Sequence, residues 1–559
     1  MPRFKPARFL TPVVAVCLGA LALTAETQNR NTPFAFDLLL RGGTVIDGSG
    51  APATRADIGI RGDRIAAIGE LGDSTAARVL DVSGLVLAPG FIDMLGWSHH
   101  TILVDNRGVS KVTQGVTTEV TGEGWSPAPV NANTLRDDSA QFAAWGLAVD
   151  WRDLDGYYAR LERSGIPFNL ATFVGHTTLR LYVMGHERRA PTRAELARME
   201  ALADTAMMQG ALGLSTSLVY EPASYASTAE IAALARVAAR HGGIYISHIR
   251  DEREGIDRAI DEALEIGRQA ATAVEIWHLK VAGRPNWGRL PAIISRLDSL
   301  RAAGFRVGAN SYPYTAAATS LSAALPSWVR SGGPEAMLRR LRRHAVRRRL
   351  RAELGDLGGV MVLGTVDSSL RRYQGRRITD IARQEGKPPA DVLIDLLVAD
   401  NGGTGAAFFS MGEEDVRAAV ATPWIGVGSD FGAVAPDGPL GLNAVHPRAY
   451  GSFTRILGHY VREQRALSLE AAVRKMTGVP ADRLGLQGRG YLRVGYFADV
   501  TIFDPTMVAD RATYEQPHQL SVGIRHVIVN GRFTLEDGRL TANRPGRPLR
   551  GPGWNPRSQ

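Results

Sequence analysis

A chain of 559 residues that is 45% hydrophobic and 22% charged can bury a large core, which excludes disordered and fibrous classes. Its formal net charge of +9 comes from 65 basic and 56 acidic residues, too even a balance for a nucleic-acid-binding protein. With a single cysteine, Cys17, no disulfide framework can form within the chain.

At the N-terminus, Arg3, Lys5 and Arg8 precede an apolar run from Phe9 to Leu23, and Ala20-Leu21-Ala22 offers a small-x-small cleavage site. This pattern predicts a signal peptide within residues 1–25 and a periplasmic or secreted protein. The run is shorter than a membrane span needs, so the mature chain is expected to carry none. Cys17 lies inside it, which leaves the mature chain without a thiolate for catalysis or metal binding.

From Phe36 to Ile68 short β-like runs (Leu38 to Leu40, Thr44 to Ile46, Asp57 to Ile60, Arg64 to Ile68) are separated by turns such as Asp47-Gly48 and Gly62-Asp63. The far end repeats this texture in Ala498 to Phe503, in Ile524 to Val529 and at the hairpin signal Asn530-Gly531. Both ends, residues 36–87 and 486–545, are therefore expected to build one small β-sandwich. Between them strands and helices alternate. The candidate strands are Val86 to Asp93, Val116 to Thr121, Asn169 to Gly175, Ala211 to Ser215, Ile244 to His248, Val274 to His278, Phe305 to Asn310 and Trp424 to Asp430. That number predicts an α/β, TIM-like (β/α)₈ barrel over 88–485. Residues 315–420 exceed a single crossover, so an inserted lid or subdomain is expected there. Its arginine-rich stretch, Arg339 to Arg351, keeps an apolar stripe of Leu338, Leu341, Val346 and Leu350, which reads as a solvated helix.

Two of the strands end in histidines, His248 and His278, and an amphipathic helical pattern from Arg253 to Ala271 links them. A right-handed crossover returns the second strand parallel to the first and puts both imidazoles on one edge of the sheet. In a barrel that edge carries the chemistry, and paired imidazoles there suit a metal.

Further stretches carry a resemblance. Arg41 to Gly48 and Ala88 to Asp93 look like the amidohydrolase superfamily. Val174-Gly175-His176, Ser247 to Glu252, His278-Leu279-Lys280, Tyr312-Pro313-Tyr314, Gly428-Ser429-Asp430 and His446 to Gly451, in that order, resemble the N-acyl-D-amino-acid deacylases within it. The resemblance runs from about Phe36 to about Gly531. It implies zinc-dependent hydrolysis of the amide bond of an N-acyl amino acid or dipeptide, with Asp430 as general base and His176 as a catalytic candidate that polarises the carbonyl. It also implies Lys280, Arg448, Tyr314 and Ser320 as substrate-binding residues.

The sequence departs from that family in two places. Leu95 and Trp97 occupy the positions of its His-x-His, and the loop Thr121 to Trp125 lacks its cysteine ligand. Glu123 in that loop is the candidate third ligand beside His248 and His278, which leads to an expectation of one zinc per chain. His99 and His100 fall off the ligand spacing. A cyclic-amide hydrolase and a non-catalytic binding protein on the same fold stay open at this point.

Overall fold

The computed structural model describes residues 35–555. The expected signal peptide and Cys17 lie outside them. No helix among the described residues is long and apolar enough to cross a membrane.

Eight parallel strands close a barrel: β1 (Phe91–Asp93), β2 (Val116–Thr121), β3 (Asn169–Thr172, resumed at Val174–Gly175), β4 (Gly213–Ser217), β5 (Ile244–His248), β6 (Val274–Ile276), β7 (Val307–Ser311) and β8 (Ile425–Val427). Closure between β8 and β1 rests on Met94 N donating to Val427 O at 3.0 Å and on a parallel bridge between Gly96 and Phe431. Every residue of β1 and β2 is buried, as sheets covered on both faces require. The helix Ile256–Ala270 shows how the outer ring is held. Ile256, Ala259, Ile260, Ala263, Leu264 and Ile266 share its inner face and are buried, while the acidic and basic residues between them face out. Inside the barrel Met94, Leu95, Val120, Ala171, Phe173, Ile246 and Trp277 pack into one apolar cluster. Each large side chain closed off there stabilises by roughly 1.5–3 kcal/mol.

The run Val86 to Asp93 divides. Val86–Pro89 pairs with Val500–Phe503 in the sheet formed by the two chain ends, and Phe91–Asp93 enters the barrel. Gly90 separates them, at a point where a Cβ would fall 2.0 Å from Thr117 Oγ1. The joint sheet is mixed and nine-stranded, hydrogen-bonded without a break from one end of the chain to the other. Leu38 to Leu40 and Thr44-Val45, read in separate runs, belong to one strand, Phe36–Val45, which ends before Ile46 and has a register shift between Leu40 and Gly43.

Between β7 and β8 the chain builds a separate three-stranded antiparallel sheet from Ala317–Ser320, Gly405–Phe408 and Val360–Val362. It has its own apolar cluster, to which Leu338, Leu341 and Leu350 of the arginine-rich helices contribute. Several of those arginines are paired at the surface, Arg347 with Asp395 and Arg351 with Asp391, each at 2.7 Å. The segment beyond Arg544 has no counterpart in the sequence-based expectation. It straps the N-terminal ends of β3 and β4, with Leu549 N donating to Leu170 O and Gly551 N to Gly210 O, both at 2.8 Å.

Candidate active site

Glu123 follows β2 in a Gly-Glu-Gly turn. Gly122 and Gly124 have φ of +102° and +69°, and a Cβ on either would fall 2.7 Å from neighbouring atoms of β3 and β4, so only glycine fits on both sides. The turn lowers the carboxylate between the ends of β5 and β6. His248 Nδ1 lies 2.7 Å and His278 Nε2 3.1 Å from the same Glu123 oxygen, and the two imidazoles stand edge to face with centroids 4.4 Å apart. His278 lies two residues beyond the end of β6, at φ +34°, and its backbone N–H donates to Asn310 Oδ1 at 2.8 Å, which holds the ring turned inward. Glu123, His248 and His278 are 2%, 5% and 3% exposed, and one ligand atom from each lies within 4.8 Å of the others. Two imidazole nitrogens and one carboxylate oxygen, converging from three strand ends, fit a borderline-soft divalent cation that keeps an open position.

The charges around the cluster favour a cation. Burial pushes the Glu123 carboxyl upward, but the imidazoles of His278 and His248 outweigh it and hold the group below the usual carboxylate range. Burial and Lys280 press His278 downward, yet Glu123 and Glu252 bring it up to about 9. Glu252 stands behind the ligands, 2.6 Å from Lys280 Nζ and 3.2 Å from His278 Nδ1, where a carboxylate orients an imidazole. Lys280 Nζ also lies 2.7 Å from that Nδ1.

Asp430 follows β8 with φ +51°, a conformation uncommon outside glycine, and its N–H donates to Leu95 O at 2.7 Å. Trp97 Nε1 donates to Asp430 Oδ1 at 3.1 Å, and Arg448 Nη1 forms an ionic contact with Oδ2 at 2.8 Å. Beneath this loop Lys111 is fully buried and donates to Asp93 Oδ2 at 2.6 Å and to Ser429 Oγ and Phe431 O at 2.7 Å each. Asp93 in turn accepts from the backbone and hydroxyl of Ser429, at 2.8 and 2.6 Å. The Gly-Ser-Asp turn is thus pinned from below by an internal ion pair.

Glu123, His248, His278, Lys280, Asp430 and Arg448 form the floor of a cavity of about 1590 Å³ between the barrel mouth and the insertion. Trp97, Trp125, Tyr220 and Tyr312 surround the floor, and Ala318, Ser320, Leu325 and Phe408 come from the insertion. Ser320 lies in that wall, its Oγ 2.9 Å from Ser322 Oγ. His99 and His100 line another part of it, His100 packed against Phe142 and Trp151; burial takes His99 down to about 4 and keeps it neutral.

Two expected residues do not face this cavity. His176 is fully buried, with Nε2 3.1 Å from Glu230 Oε1, an oxygen that Arg180 Nη1 also contacts at 2.7 Å. That buried pair occupies the ring in packing, so His176 is not placed to polarise a carbonyl. Tyr314 is directed away as well, its hydroxyl 3.5 Å from Pro447 O and from Asp510 Oδ2. Tyr312 takes the cavity-facing place instead, with the Arg448 guanidinium 4.7 Å and Lys280 Nζ 5.7 Å from its ring centre. Spacing could not separate the two tyrosines, because they have the same parity on one chain segment. Glu252, Lys111 and the role of Trp97 were also missed; only Glu252 lies in a stretch that carried the resemblance.

A barrel whose strand ends present a His-His-Glu cluster beside an aspartate defines a metal-dependent hydrolase of the amidohydrolase type. Comparison with known proteins agrees: residues 78–535 match the model of the Amidohydrolase family, and the chain belongs to that family. It is 40% identical over 524 residues to a D-aminoacylase of Alcaligenes xylosoxydans xylosoxydans, covering 94% of this chain and 99% of that protein. An N-acyl-D-glutamate deacylase of the same organism is 38% identical over 519 residues, 92% of this chain and 96% of the relative. Among solved structures, the N-acyl-D-glutamate deacylase of Bordetella bronchiseptica, complexed with zinc and a phosphonate inhibitor, superposes with a TM-score of 0.79. It is 38% identical and covers 92% of this chain and 99% of its own. A D-aminoacylase structure addressing one-metal activation and second-metal attenuation at a binuclear centre gives 0.78 at 37% identity, with 92% and 100% covered.

Proposed function

We propose that this protein hydrolyses the amide bond of N-acyl-D-amino acids with one zinc ion per chain, held by Glu123, His248 and His278. The observation that carries the reading is the convergence of those three buried donors on a cavity floor shared with Asp430, Arg448 and Lys280. A zinc ion held there supplies a Lewis acid for the scissile carbonyl and brings the pKa of water towards about 7.

Asp430 accepts the proton of the attacking water and returns it to the amide nitrogen as the C–N bond breaks, which releases a carboxylic acid and a free amino acid. Glu252 orients His278, so that its Nε2 faces Glu123, where the two would hold a zinc ion. Arg448 and Lys280 supply the positive charge for the substrate carboxylate, and Tyr312 forms the wall beside them. The D configuration is supported by relatives of that stereochemical name. The basic and apolar N-terminal run supports export, and we place the reaction in the periplasm or outside the cell.

The test is release of free amine from paired D and L N-acyl amino acids by the zinc-loaded protein. Turnover confined to D substrates and abolished by a chelator is expected. No amine from any N-acyl amino acid after zinc is restored would overturn the reading.

A further inference from the structure

We infer that Trp97 is a positioning residue for the general base, its indole N–H fixing the carboxylate of Asp430; the inference rests on the role proposed for Asp430 above. Trp97 and Asp430 face each other across the seam where the barrel closes. Backbone contacts stitch the two turns together: Asp430 N donates to Leu95 O at 2.7 Å, and Trp97 N donates to Phe431 O at 3.1 Å. Even Gly432 is packed tightly here, since a Cβ on it would come within 3.0 Å of Trp97 O. On this frame Trp97 Nε1 reaches Asp430 Oδ1 at 3.1 Å. The indole itself is braced by the rings of His99 and Trp125, with centroids 5.8 and 6.4 Å away.

The chemistry of the donor matters. An indole has one N–H and no acceptor and does not ionise, so this contact anchors a carboxylate oxygen without competing for its proton. The other oxygen, Oδ2, meets Arg448, a charged group with a second task in binding the substrate carboxylate. When Arg448 is shared with substrate, Oδ1 stays on Trp97 and Oδ2 becomes the oxygen that takes the proton. Trp97 therefore keeps the carboxylate from rotating at the moment its ionic partner is drawn away. A phenylalanine would keep an aromatic ring in that packing and remove the anchoring N–H.

The experiment is a double-mutant cycle on the zinc-loaded full chain: parent, Trp97→Phe, Asp430→Asn and the double variant. Steady-state kcat and KM are measured with the N-acyl amino acid turned over best, alongside zinc content and thermal midpoint. Asp430→Asn is expected to lower kcat by about two to four orders of magnitude with zinc retained. Trp97→Phe is expected to lower kcat by about 10- to 100-fold, the range of one hydrogen bond to a charged group, with KM, zinc content and thermal midpoint close to the parent's. In the Asp430→Asn background the same substitution should have no further effect, because the group it positions is gone. An unchanged kcat in Trp97→Phe, or an equal loss in both backgrounds, would overturn the inference while leaving Asp430 as the base. Parental turnover in Asp430→Asn would instead remove the base itself, and this inference with it.

Discussion

The cavity floor and the layer beneath it solve one problem in two ways. In the floor the Glu123 carboxylate is buried against the imidazoles of His248 and His278, with Ser217 Oγ 3.5 Å from the same oxygen. Beneath it, Asp93 and Glu119 are buried around the ammonium of Lys111, at 2.6 and 3.3 Å. A buried carboxylate needs positive compensation, because desolvation of an unpaired charge costs several kcal/mol. Lys111 is a cation fixed covalently to the fold. Glu123 has imidazoles instead, whose positive charge is a proton that a cation from solution can displace. Leu95 and Trp97 complete the contrast, one filling the barrel interior and the other holding Asp430.

Breaking the fixed side should give the largest effect on stability. Lys111→Met removes the cation from a cluster in which burial already pushes the Glu119 carboxyl above its ordinary range, even with the ammonium in place. A loss of about 3–5 kcal/mol in unfolding free energy is expected by denaturant titration. A loss below about 1 kcal/mol would show that the ion pair does not hold the Asp430 turn.

Breaking the exchangeable side should act on metal instead. Glu123→Gln keeps the volume and a carbonyl oxygen but removes the charge, so zinc affinity should fall by at least the roughly 10- to 100-fold that loss of an outer-shell partner costs. Activity should return in part at excess zinc. Competition with a chelator measures this, and equal affinities for variant and parent would take Glu123 out of the site.

A fourth buried carboxylate sharpens the comparison because the cation nearest it is held farther off than Lys111 is from Asp93 and Glu119. Glu275 in β6 lies 3.7 Å from Arg483, and burial raises it from 4.5 to about 7 against the weaker pull of Arg483 and Arg301. A carboxyl raised in the folded state contributes stability that is complete below about 4.5 and is lost as pH rises through about 7. Glu275→Gln should therefore flatten the stability profile between about pH 4.5 and 7 by about 1–3 kcal/mol. A profile identical to the parent's would show Glu275 ionised throughout that range.

The barrel was legible in the sequence because its signals are local. The amphipathic helix at Ile256–Ala270 and the apolar runs of β5 and β6 each announce themselves within about fifteen residues, and together they place His248 and His278 on one edge. Glu123 was found through the residue type in a loop where the family's ligand was missing. What could not be read depends on contacts across the chain. Lys111 and Ser429 are 318 positions apart and Trp97 and Asp430 are 333, with no periodicity connecting either pair. His176 matched a motif but turned to Glu230, a buried partner that strand order alone does not reveal. The strap after Arg544 is rich in Pro, Gly and Arg and holds on through its backbone and through arginines whose partners, such as Asp63 and Gln209, lie hundreds of positions away, so it has no periodicity to read.

The contrast between the floor and the layer beneath it is tested most directly by metal stoichiometry. Protein saturated with zinc and then dialysed free of loosely held ions should retain about one zinc per chain by elemental analysis, and Glu123→Gln should retain almost none under the same conditions. Two tightly held ions per chain would mean that the Leu95 and Trp97 side also binds metal, and none in the parent would mean that the Glu123, His248 and His278 cluster does not.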